Sequence, residues 1–186
     1  MRNLITAMKV SVDGKFEGPQ GYADWVAGWS DDYGLTPRID ACVLGGRMYP
    51  GYEQYWTAIE NQSQENPTAG EIEWARFAQQ IPHYVVSGTL TSAAWPQTRF
   101  LRGLDELETL KRAQGRDIYL MGGGAITAAA IDAGLVDEIR LIVYPLIAGG
   151  GKALFTSSAI RRELELRKVG QLPDGRLSLV YGIGSD

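Results

Sequence analysis

Gly115-Arg116-Asp117-Ile118-Tyr119-Leu120-Met121-Gly122-Gly123-Gly124-Ala125-Ile126 runs from a charged turn through a short apolar stretch into three glycines, and an alanine-rich segment follows as far as Ala133. That order encodes a buried strand, a tight glycine turn and a helix. Glycine at such a joint lets the backbone approach a ligand closely, and the helix's first N–H groups point at whatever sits there. An anion, most often a phosphate, suits that position. The competing reading is a turn and nothing more.

Outward from this joint the same alternation repeats. Leu4 to Val12 reads as a strand ending at the turn pair Asp13-Gly14, and Ala41 to Leu44 as a second buried strand closed by Gly45-Gly46. Asp24 to Ser30 is expected to form a short helix capped by Asp24, with Trp25, Val26 and Trp29 on one stripe. Helices are also predicted from Arg47, over Glu71 to Gln80, over Leu104 to Ala113 and after the three glycines to Gly134. Asn61 to Gly70, polar and carrying Pro67, reads as a loop. Strands are predicted over Tyr84 to Ser87, Asp117 to Met121 and Glu138 to Tyr144. Glu163 to Gln171 and Arg176 to Tyr181 form a hairpin around Pro173-Asp174-Gly175. The fold class is therefore α/β, with a mostly parallel central sheet and a C-terminal antiparallel hairpin.

The 186 residues favour one domain, spanning 1–186, and suffice for a real core. A formal net charge of −4 and the lack of a clustered basic face exclude a nucleic-acid surface. No apolar run reaches the roughly 20 residues that span a bilayer. The N-terminal residues lack a signal-peptide pattern, and one cysteine, Cys42, suits a reducing compartment, so the expected location is cytoplasmic. Set among apolar neighbours, Cys42 reads as core. One histidine, His83, leaves too few ligands for a usual metal centre, so no metal is expected.

Three glycine-marked loops follow buried strands at their carboxyl ends: Gly45-Gly46, Ser87-Gly88-Thr89 and Gly122-Gly123-Gly124. Ligands of open α/β sheets lie in the crevice outside those ends, and three such loops on one edge make a groove long enough for a dinucleotide. Arg47, Ser87 and Thr89 add donors for phosphate oxygens. The better-known phosphate motifs fail. Position 127 is Thr127 where a dinucleotide fingerprint needs glycine, and Gly149-Gly150-Gly151-Lys152 lacks both the spaced glycine and the hydroxyl of a phosphate loop.

Taken together, these residues resemble the dihydrofolate reductase-like superfamily, in the branch that includes the reductase domain of the bifunctional riboflavin-biosynthesis enzyme. The resemblance rests on Asp117 to Gly124, on Gly134-Leu135-Val136-Asp137-Glu138, and on Tyr144-Pro145 through Gly151-Lys152-Ala153-Leu154-Phe155. Further matches are Ser87-Gly88-Thr89-Leu90 with Trp95, Leu44 to Tyr49, and Val12-Asp13-Gly14 with Asp24-Trp25. It implies a three-layer fold, hydride transfer from NADPH to a small planar heterocycle or related C=N or C=C substrate, and a homodimer. Carried over, Gly122, Gly123 and Gly124, with Ala125 and Ile126 behind them, meet pyrophosphate and nicotinamide across a peptide that is often cis. Gly45, Gly46, Arg47 and Met48 meet phosphates, and Ser87, Thr89 and Leu90 the adenosine end. This chain departs from many relatives in Gly88, where a basic residue is common, and in Met48, where threonine is common. Arg99 or Arg102 would compensate for the first.

A C=N bond needs a proton as hydride arrives, which a partly buried carboxylate supplies. Asp24 is the first candidate, with a plain helix cap as the alternative. Asp13 is a second carboxylate on the substrate side, or only a turn residue. Trp25 stacks on a flat heterocycle or packs in the core. Tyr49, with Trp29, Tyr52 and Trp56, lines the same cleft or fills it. Glu17-Gly18-Pro19-Gln20-Gly21 stands where a serine-rich contact to a ribose phosphate is expected, which argues against the riboflavin intermediate as substrate. The alternative function is a non-catalytic dinucleotide- or ligand-binding protein that retains the fold.

Overall fold

The computed structural model describes residues 1–31, 33–64, 66–155 and 160–184. Six strands run parallel: β1 (Leu4–Ser11), β3 (Ile39–Gly45), β4 (His83–Val86), β5 (Thr98–Leu101), β6 (Asp117–Gly122) and β7 (Glu138–Tyr144). An antiparallel hairpin, β9 (Leu164–Gln171) and β10 (Leu177–Ile183), extends the sheet beyond β7, giving the order β5-β4-β3-β6-β1-β7-β10-β9. A two-stranded ladder of β2 (Lys15–Glu17) and β8 (Lys152–Ala153) stands apart.

β1 lies between β6 and β7 and is covered on both faces, which is why it reads as an almost continuous apolar run. Ile5 and Ala7 face the layer of α1 (Tyr49–Glu60) and α2 (Ala69–Ala78), where Tyr52, Trp56, Ile59 and Trp74 are buried. Leu4 faces the layer of α3 (Leu104–Arg112) and α4 (Gly124–Asp132), with Leu107, Ala130 and Ile131. The molecule is thus helix, sheet, helix, as expected. α2 starts on a capping box. The Thr68 hydroxyl accepts from the Glu71 N–H at 3.2 Å, and Glu71 accepts from the Thr68 N–H at 2.8 Å.

One local expectation differs, and three short strands are unanticipated. The chain from Asp24 to Ser30 makes no helix; it turns, with the Val26 N–H donating to the Ala23 carbonyl at 3.0 Å. Trp29 is drawn over Trp74, with ring centroids 4.7 Å apart, and meets Trp56 edge-on at 5.9 Å. Ring packing and the helix-averse Gly28 outweigh a weak helical stripe. β5 escapes periodicity because it is a four-residue edge strand. β2 and β8 are shorter still, too brief for any alternation to register.

Candidate functional site

Because the six strands are parallel, their carboxyl ends share one edge. Register aligns Gly45 with Val86 and Leu44 with Gly122, so the three glycine loops emerge side by side. The Gly46 N–H donates to the Val86 carbonyl at 3.0 Å. A Cβ at Gly46 would lie 2.6 Å from both Cβ and Oγ of Ser87, so these loops touch without room for one methyl group. Gly45 packs against Ile126, 3.5 Å from its Cγ2. Gly122 has φ of 110°, in the region that favours glycine, and its peptide with Gly123 is cis.

Two helices begin at this edge, and neither start carries a side-chain cap: α1 follows Met48, and α4 follows Gly123. Pro50 removes one donor from α1, so the Tyr49 and Gly51 N–H groups there and the first-turn N–H groups of α4 are available to a ligand. Gly123 faces open space, with nothing within 4 Å of a would-be Cβ. Ala125, Arg47 and Thr89 are exposed, and Met48 is 38% exposed. Among the described residues, Arg47 makes no hydrogen bond or ion pair. The Ser87 Oγ accepts from the Thr89 and Leu90 N–H groups at 3.2 and 3.0 Å, which shapes the loop and leaves the hydroxyl proton to donate. Arg102 donates to the Ser87 and Leu90 carbonyls at 2.7 and 3.0 Å, so a guanidinium stands on this loop beside Gly88. Arg99 is turned back onto the Pro96 and Thr98 carbonyls. A strip of uncapped helix starts, side-chain-free backbone and unpaired cation fits a dinucleotide pyrophosphate.

The β2–β8 ladder folds over this edge. Phe16 lies 3.2 Å from a would-be Cβ of Gly124, and Glu17 pairs with Lys152 at 2.7 Å. Asp13, expected to face a substrate, anchors the neighbouring loop instead. Its carboxylate accepts from the Ala148 and Gly149 N–H groups at 2.9 and 3.0 Å. The Ser11 hydroxyl and those amides lower its pKa to about 2, so it stays ionised and donates no proton.

Tyr49 is a further correction. It is 1% exposed, its hydroxyl donates to Glu53 at 2.7 Å and meets the Thr98 hydroxyl at 2.5 Å, and it joins α1 to β5 inside the core. Tyr52 and Trp56 are buried likewise, and the Tyr52 hydroxyl sits 3.0 Å from Nε2 of His83. Burial lowers the His83 pKa to about 4 and raises that of Cys42, so both are neutral core groups. Asp24 is exposed on the turn at 23–26, close to Gly18.

Trp25 and Trp29 do meet a cavity. It measures about 840 Å³ and opens at the carboxyl end of β7, bounded by the turn at 25–31, the start of α2 and the β9–β10 turn. Tyr144 and Leu146 form its far wall, with Arg176 stacked 5.5 Å above the Tyr144 ring. Only β1 separates this cavity from the β6 glycine turn, a distance of roughly 10 Å at the usual strand spacing. Sequence reasoning missed Tyr144, Leu146 and Arg176 here, because only the fold brings the β7 end and the hairpin turn to Trp25.

The RibD C-terminal domain family matches residues 2–177. The uncharacterized protein YyaP of Bacillus subtilis is 30% identical over 97% of this chain and 94% of its own. Among solved structures, a putative riboflavin biosynthesis protein from Shewanella sp. PV-4 superposes with a TM-score of 0.74 at 18% identity, covering 98% of this chain and 99% of that one. A deaminase/5-amino-6-(5-phosphoribosylamino)uracil reductase of Thermotoga maritima gives 0.66 at 13%, covering 98% of this chain and 57% of its own. The three-layer architecture, the glycine-lined edge and the match along almost the whole length lead to one assignment: the chain belongs to the RibD C-terminal domain family and has its dihydrofolate reductase-like fold.

Proposed function

We propose that this protein is an NADPH-dependent reductase of a small planar heterocycle or related C=N or C=C compound. The observation that carries the reading is the pair of uncapped helix starts, α1 and α4, on one glycine-lined sheet edge, with a ring-lined cavity one strand away. When bound, the reduced nicotinamide dinucleotide supplies the hydride. The N–H groups following Met48 and Gly123 hold its phosphates, Arg47 adds charge, and the open space at Gly123 admits the nicotinamide side. Arg102, standing on the Ser87 loop, favours the extra phosphate of NADPH over NADH. Phe16 and the β2–β8 ladder keep water from the turn. Asp24 is the proposed proton donor; it is exposed rather than partly buried and stands next to Trp25 outside the cavity lining, so it acts from the rim.

Titration of the purified protein with NADPH, followed by fluorescence, tests the binding step. Gly123→Val directs a branched side chain into the space left for the cofactor, and unaltered affinity would refute the placement. Loss of the 340 nm absorbance over a panel of dihydropterins, pyrimidine diones and quinones tests turnover. Binding without turnover of any of them selects the non-catalytic alternative. Unchanged turnover in Asp24→Asn transfers proton delivery to water.

The working unit is proposed to be a homodimer. Leu164, Leu166, Val169 and Leu177 share one face of the β9–β10 hairpin and are 40, 53, 59 and 42% exposed. An apolar strip of this kind marks an interface. Sedimentation should give twice the chain mass, and Val169→Asp should halve it.

A further inference from the structure

Resting on the reductase reading, the walls of the cavity at the end of β7 narrow the substrate class. We infer that this cavity takes an unphosphorylated, uncharged planar ring bearing a carbonyl or ring-nitrogen acceptor. Its volume of about 840 Å³ is ample for a two- or three-ring molecule. Trp25, Trp29 and Tyr144 offer ring surfaces for stacking. The Trp25 indole N–H is buried and has no acceptor among the described residues. A buried donor of this kind is normally satisfied, and a ring carbonyl or nitrogen of the ligand meets that need.

A phosphate finds no such welcome. The lining arginine, Arg176, is engaged by its stacking on Tyr144 and by the Pro173 carbonyl, 3.2 Å from its Nε. Behind the wall, the Lys9 ammonium donates to the lining Ser30 hydroxyl at 2.8 Å. Asp31 and Asp174 stand in the lining; the Asp31 carboxylate is held by the Leu35 and Thr36 N–H groups at 2.9 and 3.0 Å, and Asp174 sits on the hairpin turn. At the α2 start, which also borders the cavity, the Glu71 carboxylate accepts from the Thr68 N–H and hydroxyl, so a negative charge already stands at that helix end. The nearby cations already have partners and three carboxylates, Asp31, Glu71 and Asp174, lie close by, so a dianion entering the space loses hydration without gaining a fork of donors.

Riboflavin and riboflavin 5′-phosphate test this directly, because they share a tricyclic ring and differ only in the phosphate. Quenching and anisotropy of flavin fluorescence on the full chain should give a Kd about tenfold or more lower for riboflavin. Trp25→Leu should weaken riboflavin about tenfold, and Trp25→Phe, which keeps a ring but lacks the N–H, should fall between. Asp174→Asn should narrow the gap between the two flavins. NADPH affinity is measured on each variant and should stay unchanged. Equal or tighter binding of the phosphorylated flavin overturns the inference. So does binding of both weaker than about 0.1 mM, or indifference to Trp25→Leu. If NADPH fails to bind the parent while the flavins discriminate as stated, the reductase reading falls and the cavity assignment stands.

Discussion

Gly46→Ala puts one methyl group where two cofactor loops meet. Its Cβ would stand 2.6 Å from Cβ and Oγ of Ser87, whereas carbon atoms rest comfortably at about 3.5–4.0 Å, so the loops must part by about 1 Å. Ser87 cannot swing aside cheaply, because its hydroxyl holds the Thr89 and Leu90 N–H groups and its carbonyl holds Arg102. Overpacking of this kind costs about 1–3 kcal/mol, or roughly 3–10 °C in Tm for a chain of this size. If Ser87 and Thr89 hold an adenosine phosphate, the displacement also forfeits about one charge-assisted hydrogen bond. That weakens NADPH about ten- to hundredfold. Gly51→Ala in α1 is the matched control, since nothing lies within 4 Å of its Cβ. It should raise stability by about 0.5–1 kcal/mol and leave NADPH affinity within about twofold. Thermal unfolding and fluorescence titration of the two variants give both numbers. Lowered Tm with parental affinity in Gly46→Ala would show that no phosphate sits between these loops. An unchanged Tm would show that the seam is not tight.

His83 is neutral in the fold, with its pKa lowered to about 4 from 6.5 by burial. The unfolded chain binds the extra proton between those values, so stability rises with pH across that window. Acidification from above pH 6.5 to about 4 should remove about 3 kcal/mol through this residue, and His83→Gln should flatten that slope in urea titrations. Glu71, 7% exposed, accepts from the Thr68 N–H, the Thr68 hydroxyl and the Tyr55 hydroxyl at 2.8–2.9 Å. Glu71→Ala strands those donors at the join of α1 and α2 and should cost about 2–3 kcal/mol in urea unfolding, with Glu71→Gln intermediate. Asp13→Ala should release the Ala148–Gly149 loop, seen as faster amide hydrogen exchange there, while β1 exchange stays slow.

The layered fold was legible because β1, β3, β6 and β7 are long enough for apolar patterning to register, and because glycine punctuates their carboxyl ends. The convergence of Gly45, Ser87 and Gly122 followed from parallel topology alone. What stayed hidden depends on contacts distant in sequence. Nothing local in Asp24 to Ser30 reveals that Trp29 will lie on Trp74 rather than continue a helical turn. Tyr49 looks the same in sequence whether it lines a cleft or buries its hydroxyl against Thr98. Asp13 reads as a turn residue, and its bonds to residues 148 and 149 appear only once β1 and β7 are side by side.

The seat of β1 between β6 and β7 also sets a timetable for synthesis. Leu4 pairs with Ile118, and Ile5 with Glu138, so β1 finds its neighbours more than a hundred residues later. At about 5–20 residues per second, an apolar, β-prone segment stays without partners for roughly 6–27 s on the ribosome. Such non-local closure predicts slow folding and a nascent chain that relies on chaperones until β7 has emerged.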